Sequence, residues 1–295
     1  MANYKLIVIL GPTASGKTDL SIKLAKKFNG EVISADSRQV YKGMDVGTGK
    51  VTKKEMKGVP HYLLDVANPK KIFTVVQYQK LALTAIKKIQ KKNKIPFLVG
   101  GTGFYIQSIV DGAVIPEVKP DWKLRKRLEK KPVEELFEML EKLDNRRALI
   151  IDKNNPRRLI RALEIVLSTK QPVPAVFQNK PNFDVLTLGI NKTKEDLVEL
   201  IGKRLLRRLN NGMIEEVKKL HKSGVSWKRL EEFGLEYRFV AQYLQNKITY
   251  QEMADKIQKE SEHYAKRQMT WFKRDKKTHW IKNYTEAKKL VENFL

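Results

Sequence analysis

Residues 11–18 combine the residue types that bind a phosphate chain. They read Gly-Pro-Thr-Ala-Ser-Gly-Lys-Thr, which is the spacing G-x-x-x-x-G-K-[ST]. In such a loop the backbone N–H groups surround an anion, the lysine adds a positive charge and the last hydroxyl can hold Mg²⁺. We therefore predict a diphosphate or triphosphate site, with Thr18 as its metal ligand. Its residues would be Gly11, Pro12, Thr13, Ala14, Ser15, Gly16, Lys17 and Thr18.

The neighbouring sequence supplies the two elements that such a loop needs. An apolar run from Leu6 to Leu10 predicts a buried strand before it, and apolar residues at helical spacing (Leu20, Leu24, Phe28) predict a helix after it. The positive end of that helix would face the bound phosphate. A glycine turn that binds nothing is the alternative, and this combination of strand, loop and helix disfavours it.

Asp36 lies two residues beyond the second predicted strand, residues 31–34. In open α/β sheets the carboxyl ends of the strands face the ligand crevice, so Asp36 would lie beside the phosphate loop. A carboxylate there can hold Mg²⁺ or act as a general base, or it can merely cap the next turn. Ser37, Arg38 and Gln39 come next and are further candidates for ligand contacts.

Two more polar residues are candidates for the same crevice. Thr102 lies in a glycine-rich turn after the predicted strand 95–99, where glycine lets the backbone approach a ligand, although an ordinary tight turn explains it equally well. Arg204 lies on the apolar stripe of its predicted helix. An arginine there needs a partner anion, or its charged end must reach water.

Other metal chemistry finds little support in the sequence. The strand 95–99 ends on Gly100, where motor ATPases and GTPases carry a magnesium-binding aspartate, and Asp65 is only a weaker candidate for that role. This counts against hydrolysis-driven movement. The chain has no cysteine, which excludes disulfides and thiolate metal sites, and its four histidines show no ligand spacing.

The composition indicates a globular protein with a polyanionic partner. Of its 295 residues 41% are hydrophobic, and no apolar run approaches the ~20 residues of a membrane span. Because no signal peptide precedes the first strand, we expect a soluble, cytoplasmic protein. Lys and Arg number 59 against 33 acids, a net charge of +26. A lysine-rich proteome could explain this charge, but the arginines cluster locally, which favours nucleic acid.

The order of predicted elements indicates an α/β fold, namely a P-loop NTPase-like core with a mostly parallel sheet and an inserted all-helical domain. We assign residues 1–120 to the first part of the core, 121–180 to the insertion, and 181–295 to the second part of the core with C-terminal helices. A proline-rich connector (Pro172, Pro174, Pro181) follows the insertion. Beyond it we predict a strand at 185–190 and helices at 194–222, 236–246 and 249–274.

Taken together, these residues resemble the bacterial-type tRNA dimethylallyltransferases, also called tRNA isopentenyltransferases. The resemblance runs along nearly the whole chain, and its most specific parts are Asp-Ser-Arg-Gln-Val-Tyr (36–41) and Lys-Arg-Gln-Met-Thr-Trp (266–271). These two parts belong to the longer matching segments 33–41 and 264–272, and the other matching segments are 11–18, 44–48, 100–105, 155–164 and 212–217. The departures from the family pattern are Gly49 and Val51 for Ala and Pro, Phe104 for Leu, and Gly-Leu-Glu-Tyr-Arg (234–238) for Gly-Tyr-Lys-Glu.

The resemblance implies transfer of a dimethylallyl group from dimethylallyl diphosphate to N6 of adenosine 37, beside the tRNA anticodon. It implies that Asp36 is the general base, that Thr18 lies near Mg²⁺ and that Arg204 binds the diphosphate. It also implies that the helical insertion grips the anticodon stem-loop. The implied tRNA-binding residues are Asp36, Ser37, Arg38, Gln39, Thr102, Arg157, Arg158, Leu159, Ile160 and Arg161. We expect a monomer that binds no membrane.

Three other functions stay open at this point. A small-molecule kinase would use the loop for ATP and Asp36 to activate a hydroxyl. A nucleic-acid-binding switch would use a nucleotide only to change shape, which the missing aspartate after strand 95–99 disfavours. An adenylate isopentenyltransferase would act on free AMP or ATP. The net charge and the basic insertion favour polymeric RNA over both small acceptors.

Overall fold

The computed structural model describes residues 4–113, 116, 118–174 and 183–295 of the chain. The chain divides into two compact units. The first, here called the core unit, consists of Met1–Val110 and Pro181–Leu295. The second, here called the helical unit, consists of Asp111–Lys180. Pro181, the last proline of the predicted connector, lies outside the described residues.

The core unit is built on a parallel sheet. Its described strands are β1 (Tyr4–Leu10), β2 (Gly30–Ala35), β3 (His61–Tyr62), β4 (Ile95–Gly100), β5 (Phe183–Ile190) and β6 (His279–Ile281). They are arranged in the order β3-β2-β4-β1-β5-β6, with every neighbouring pair parallel. The predicted α/β fold with a mostly parallel sheet is thereby confirmed. Parallel strands need long crossover connections, and helices provide them.

Helices occur in both units. Along the described chain they are α1 (Lys17–Lys27), α2 (Lys53–Met56), α3 (Val75–Gln90), α4 (Gly103–Val110), α5 (Trp122–Leu128), α6 (Val133–Leu143), α7 (Asn145–Ala148), α8 (Pro156–Thr169), α9 (Lys194–Asn210), α10 (Met213–Lys222), α11 (Trp227–Phe233), α12 (Leu235–Leu244), α13 (Tyr250–Phe272) and α14 (Tyr284–Phe294). No helix in the described part of the chain is both long enough and apolar enough to cross a membrane.

Two apolar clusters fill the core unit, one on each face of the sheet. Successive residues of β1 alternate between them, because side chains of a strand point to opposite faces in turn. Leu6 and Val8 belong to the cluster that includes Ile86 of α3. Ile7 and Ile9 belong to the cluster that includes residues of α1 and α14. Helices thus lie on both faces, and the ends of the central strands are held rigidly.

The helical unit has an apolar core of its own, formed by α5, α6, α7 and α8. A fully buried carboxylate, Glu164 of α8, lies within it. It forms ion pairs with Arg125, at 2.6 Å, and with Arg161, and it accepts a hydrogen bond from the backbone N–H of Asp121, at 2.7 Å. These partners stabilise the ionised form and hold the pKa of Glu164 below its usual range.

The structure differs from the predicted elements mainly in short segments. Residues 194–222 form two helices rather than one, because Gly212 adopts a left-handed conformation (φ 87°) before α10. Glycine reaches this conformation without strain. The short helices α2, α7 and α11, together with α4, β6 and α14, were not predicted. β6 has only three residues, too few to show a period.

Candidate active site

The phosphate loop lies between the end of β1 and the start of α1, as predicted. Gly16 precedes α1 in the left-handed region (φ 90°), where glycine is favoured. A side chain on Gly11 would come within about 3.0 Å of the Ser15 hydroxyl. Both glycines of the motif are therefore needed for the backbone conformation of the loop. The unpaired N–H groups at the start of α1 face the loop.

Ser15 and Lys17 of the loop have no negatively charged partner among the described residues. The Ser15 hydroxyl is buried and has no hydrogen-bond partner. The Lys17 ammonium donates to the carbonyl of Pro12 at 2.6 Å. Its burial, and next the charge of Arg204, lower the pKa of Lys17 to about 7. Buried polar groups normally find partners, so this environment favours a bound anion.

Arg204, from α9, reaches the same loop across a long separation in sequence. Its Nη1 donates to the Thr13 hydroxyl at 3.1 Å, and its Nη2 donates to the carbonyl of Thr48 at 3.3 Å. Its charged end therefore lies against the phosphate loop. Burial is the main reason that the pKa of Arg204 falls to about 10.

The neighbouring arginine on the same helix face is already neutralised. Arg208 is buried and forms an ion pair with Glu236 at 2.5 Å. Arg204 has no carboxylate within ion-pair distance among the described residues. Its charge is thus left for a ligand, since a buried cation without a counterion is costly.

Asp36 directly follows β2, and its two carboxylate oxygens differ in their hydrogen bonds. Its Oδ1 accepts hydrogen bonds from the backbone N–H groups of Arg38 (2.8 Å) and Gln39 (3.3 Å), which caps the turn. Its Oδ2 makes no hydrogen bond with any residue that the structure describes. The negative charge of Asp36 acts to raise the pKa of both Lys17 and Arg204. One carboxylate oxygen is therefore free beside the cationic loop.

The candidate residues after Asp36 are placed by different contacts. The Thr102 hydroxyl accepts from the backbone N–H of Ser37 at 3.0 Å, so the turns that follow β2 and β4 meet. The Gln39 amide is turned inward, between the Ser34 hydroxyl (3.3 Å) and the carbonyl of Gly49 (3.4 Å). The Arg38 guanidinium lies 5.8 Å from the ring centre of Phe233.

Sequence reasoning missed two residues of α13 that complete this arrangement. Gln268 accepts from the backbone N–H of Thr13 at 2.8 Å and donates to the carbonyl of Gly101 at 2.7 Å, so it connects the phosphate loop to the turn after β4. Burial raises the pKa of Tyr264 to about 12, and the nearby Thr102 side chain acts in the opposite direction. The only available signal was their place in the specific segment 264–272.

The candidates in the helical unit separate into exposed and buried side chains. Arg157 and Arg158 are exposed, and Arg158 makes a long ion pair with Asp152 at 3.6 Å. Leu159 and Ile160 are buried in the unit's apolar core. Arg161 donates to the carbonyl of Val118 at 3.1 Å and pairs with the buried Glu164. The first two side chains are therefore the most accessible to a polyanion, whereas Arg161 also has a structural partner.

Asp65, the weaker candidate for a metal ligand, is occupied by another partner. It forms an ion pair with Lys50 at 2.6 Å. No cluster of three or more His, Cys, Asp or Glu side chains occurs within the described ranges. A metal in this part of the chain would therefore take most of its ligands from a bound phosphate compound and from water.

Proteins of one family are similar to this chain along nearly its whole length. The family model described as IPP transferase matches residues 39–275. The chain is 38% identical to a tRNA dimethylallyltransferase of Acetivibrio thermocellus, with 98% of this chain and 95% of the relative covered. It is 40% identical to one of Carboxydothermus hydrogenoformans, with 99% and 96% covered.

Solved structures show the same fold. A tRNA isopentenylpyrophosphate transferase from Bacillus halodurans matches with a TM-score of 0.73 and 36% identity, over 98% of this chain and 95% of that one. A eukaryotic dimethylallyltransferase acting on tRNA matches with a TM-score of 0.75 and 28% identity, over 91% of this chain and 69% of that one.

Proposed function

We infer the function of this site from one premise: the chain belongs to the IPP transferase family. It is a transferase that attaches a dimethylallyl group to tRNA. We propose that the acceptor atom is N6 of adenosine 37. We propose that the donor is dimethylallyl diphosphate, that Mg²⁺ assists the departure of the diphosphate, and that the protein acts as a cytoplasmic monomer. Small-molecule kinase and adenylate isopentenyltransferase activities are the alternatives that the experiment below separates.

The residues at the end of β2 and in the phosphate loop divide the chemistry between them. As the bond from N6 to C1 of the dimethylallyl group forms, the bond from C1 to the diphosphate oxygen breaks. Oδ2 of Asp36 accepts the proton that N6 loses, since an exocyclic adenine amine is a poor nucleophile. The loop amides, Lys17 and Arg204 stabilise the negative charge that develops on the leaving diphosphate.

The residues present fit a magnesium ion that is bound mainly through the diphosphate. The Thr18 hydroxyl is exposed at the start of α1, and the buried Ser15 hydroxyl has no partner. Thr18 would hold the ion in this proposal, with Asp36 as a nearby carboxylate. When bound, Mg²⁺ would neutralise part of the diphosphate charge.

Adenosine 37 must leave its stack to reach such a site, which costs a few kcal/mol. The turn segment 36–39 and Thr102 lie at the same edge of the sheet as the phosphate loop. We propose that they receive the extruded adenine. Arg157 and Arg158 would add sequence-independent affinity by contacting backbone phosphates.

The observation that carries this proposal is the position of Arg204. It contacts the phosphate loop 191 residues away in sequence and has no carboxylate partner in the described part of the chain. The test is incubation with dimethylallyl diphosphate, Mg²⁺ and bulk tRNA, followed by mass analysis of the nucleosides for N6-dimethylallyladenosine. Parallel reactions replace tRNA with AMP, or supply ATP with small acceptors. If product formed with AMP, or from ATP with a small acceptor, and not with tRNA, the proposal would be contradicted.

The pKa of Lys17 predicts how diphosphate binding depends on pH. Only the protonated ammonium attracts the anion, and burial lowers its pKa to about 7. We expect the dissociation constant of inorganic diphosphate to rise with pH above about 7, by at most about tenfold per pH unit, and binding to take up close to one proton. Calorimetry in buffers of different ionisation enthalpy measures this uptake. Lys17→Met should bind more weakly and lose the uptake, and an unchanged uptake would refute the assignment.

Arg157 and Arg158 should control the salt dependence of tRNA binding. Replacing both with Ala is expected to reduce the slope of log K against log salt by about one to two units, since each phosphate contact releases a counterion. Arg161 is left intact because it stabilises Glu164. Lys26→Ala with Lys27→Ala, two exposed charges at the far end of α1, is the matched control. Equal slopes for both double variants would mean that the arginines are only solvated.

A further inference from the structure

The carboxylate of Glu216, in the first turns of α10, is held by four donors. Its Oε2 accepts from the backbone N–H groups of Asp45 (2.8 Å) and Val46 (2.7 Å). Its Oε1 accepts from the N–H of Gly47 (3.0 Å) and from the Tyr237 hydroxyl (2.7 Å). Three successive N–H groups around one anion form a compact nest. With two bonds to each oxygen, the position and orientation of this carboxylate are fixed.

The segment that Glu216 holds continues directly to Arg204. The carbonyl of Thr48 accepts from Nη2 of Arg204 at 3.3 Å. At Gly49 the backbone is left-handed (φ 60°), and the guanidinium ends of Arg204 and Arg208 occupy the space that a side chain would need. Residues 45–49, here called the support loop, therefore form the surface against which Arg204 lies.

Tyr237 of α12 completes this clamp from the other side. The residue is almost fully buried, and its hydroxyl donates to Glu216. A side chain on Gly47 would overlap the ring of Tyr237, so glycine allows the close approach. The support loop is thus held between the carboxylate of α10 and an aromatic ring of α12.

The role of Glu216 differs from that of an ordinary helix carboxylate. Its neighbour Glu215 is exposed and forms an ion pair with Lys218 at 2.9 Å, as surface residues of helices commonly do. Glu216 is instead satisfied by uncharged donors of the support loop and Tyr237. Because it makes no ion pair with Arg204, it fixes the loop without competing for the arginine that the diphosphate needs.

We propose that Glu216 is a positioning residue for the diphosphate. It fixes the support loop, and the carbonyl of Thr48 in turn aims Arg204 at the phosphate loop. Glu216 touches neither substrate and acts only through Arg204. This inference rests on the proposed function of the site, because it assigns Arg204 to the diphosphate.

Glu216→Gln is the decisive variant. The amide keeps the shape, but its NH₂ group must face either the N–H groups of Asp45 and Val46 or the N–H of Gly47 and the Tyr237 hydroxyl. In either orientation at least one backbone N–H loses its acceptor, because the hydroxyl can turn to accept but an N–H cannot. We expect KM for dimethylallyl diphosphate and the dissociation constant of inorganic diphosphate to rise on the order of tenfold, with KM for tRNA unchanged. Glu215→Gln on the same helix is the matched control and should leave all three constants unchanged. Equal behaviour of the two variants would overturn the proposal.

Tyr237→Phe gives an independent measurement if Glu216→Gln fails to fold. It keeps the ring and removes one of the four donors, so we expect a smaller rise in the dissociation constant of diphosphate, about two- to fivefold. If Glu216→Gln does not fold, an unchanged dissociation constant of diphosphate in folded Tyr237→Phe would contradict the proposal.

A double-mutant cycle separates positioning from a purely structural role. In an Arg204→Lys background, Glu216→Gln should change the dissociation constant of diphosphate by less than about twofold, since its effect passes through Arg204. Full additivity of the two changes would mean that Glu216 supports only the fold. Absence of prenyl transfer by the unmodified protein would instead refute the proposed function, while direct diphosphate binding would still decide the role of Glu216.

Discussion

Asp36→Ala is expected to lower kcat for prenyl transfer by about 10²–10⁴-fold, the range for a lost general base. The physical reason is the free Oδ2 oxygen of Asp36 beside Lys17 and Arg204, where a proton acceptor is needed next to the leaving diphosphate. The affinity for tRNA should change far less, because the carboxylate contributes one contact among many. Single-turnover kinetics with saturating tRNA measures the chemical step directly.

Asp36→Asn separates the base from the turn cap. The amide oxygen of Asn can still accept from the N–H groups of Arg38 and Gln39, so the turn after β2 is kept. If Asp36→Asn lowers kcat as much as Asp36→Ala does, the loss is due to the missing proton acceptor. Near-normal turnover of Asp36→Asn would show that the carboxylate only shapes the turn. Asp65→Ala, which removes a carboxylate paired with Lys50 after the next strand, is the control.

The parts of the site that the sequence could predict are local in the chain. The phosphate loop needs only the glycines, lysine and hydroxyl of one segment, between a strand and a helix that are visible in the apolar pattern. Asp36 could be placed because the end of β2 is near in sequence, and parallel strands end at one edge of the sheet. Arg204 could be assigned to an inward face by helical spacing alone.

The parts that could not be predicted depend on contacts between distant segments. Gln268 contacts Thr13 across 255 residues, and Glu216 holds Gly47 across 169 residues. Neither side chain belongs to a local pattern that specifies its partner. Arg161 is a further example, because the arginine cluster gives no sign that this side chain pairs with the buried Glu164. Burial of a counterion is a tertiary property that spacing does not reveal.

Arg204→Lys is expected to weaken the interaction with diphosphate by about 1.5–3 kcal/mol, or about 10- to 150-fold, the range for hydrogen bonds to charged groups. The guanidinium spans the Thr13 hydroxyl and the carbonyl of Thr48 with two different nitrogens. A lysine ammonium is a single point of charge, so it cannot keep both contacts and also fork onto a phosphate. The loss should appear in KM for dimethylallyl diphosphate, in kcat, or in both.

Arg207→Lys is the matched control for this substitution, since Arg207 is exposed on the same helix and should tolerate lysine without kinetic change. Steady-state kinetics with each substrate varied in turn locates the effect. Because Arg204 contacts the phosphate loop, where the proposal places the diphosphate, KM for tRNA should stay within about twofold in both variants. A loss confined to tRNA binding, or a silent Arg204→Lys, would mean that the guanidinium only packs against the support loop and that the diphosphate is held by the loop amides and Lys17 alone.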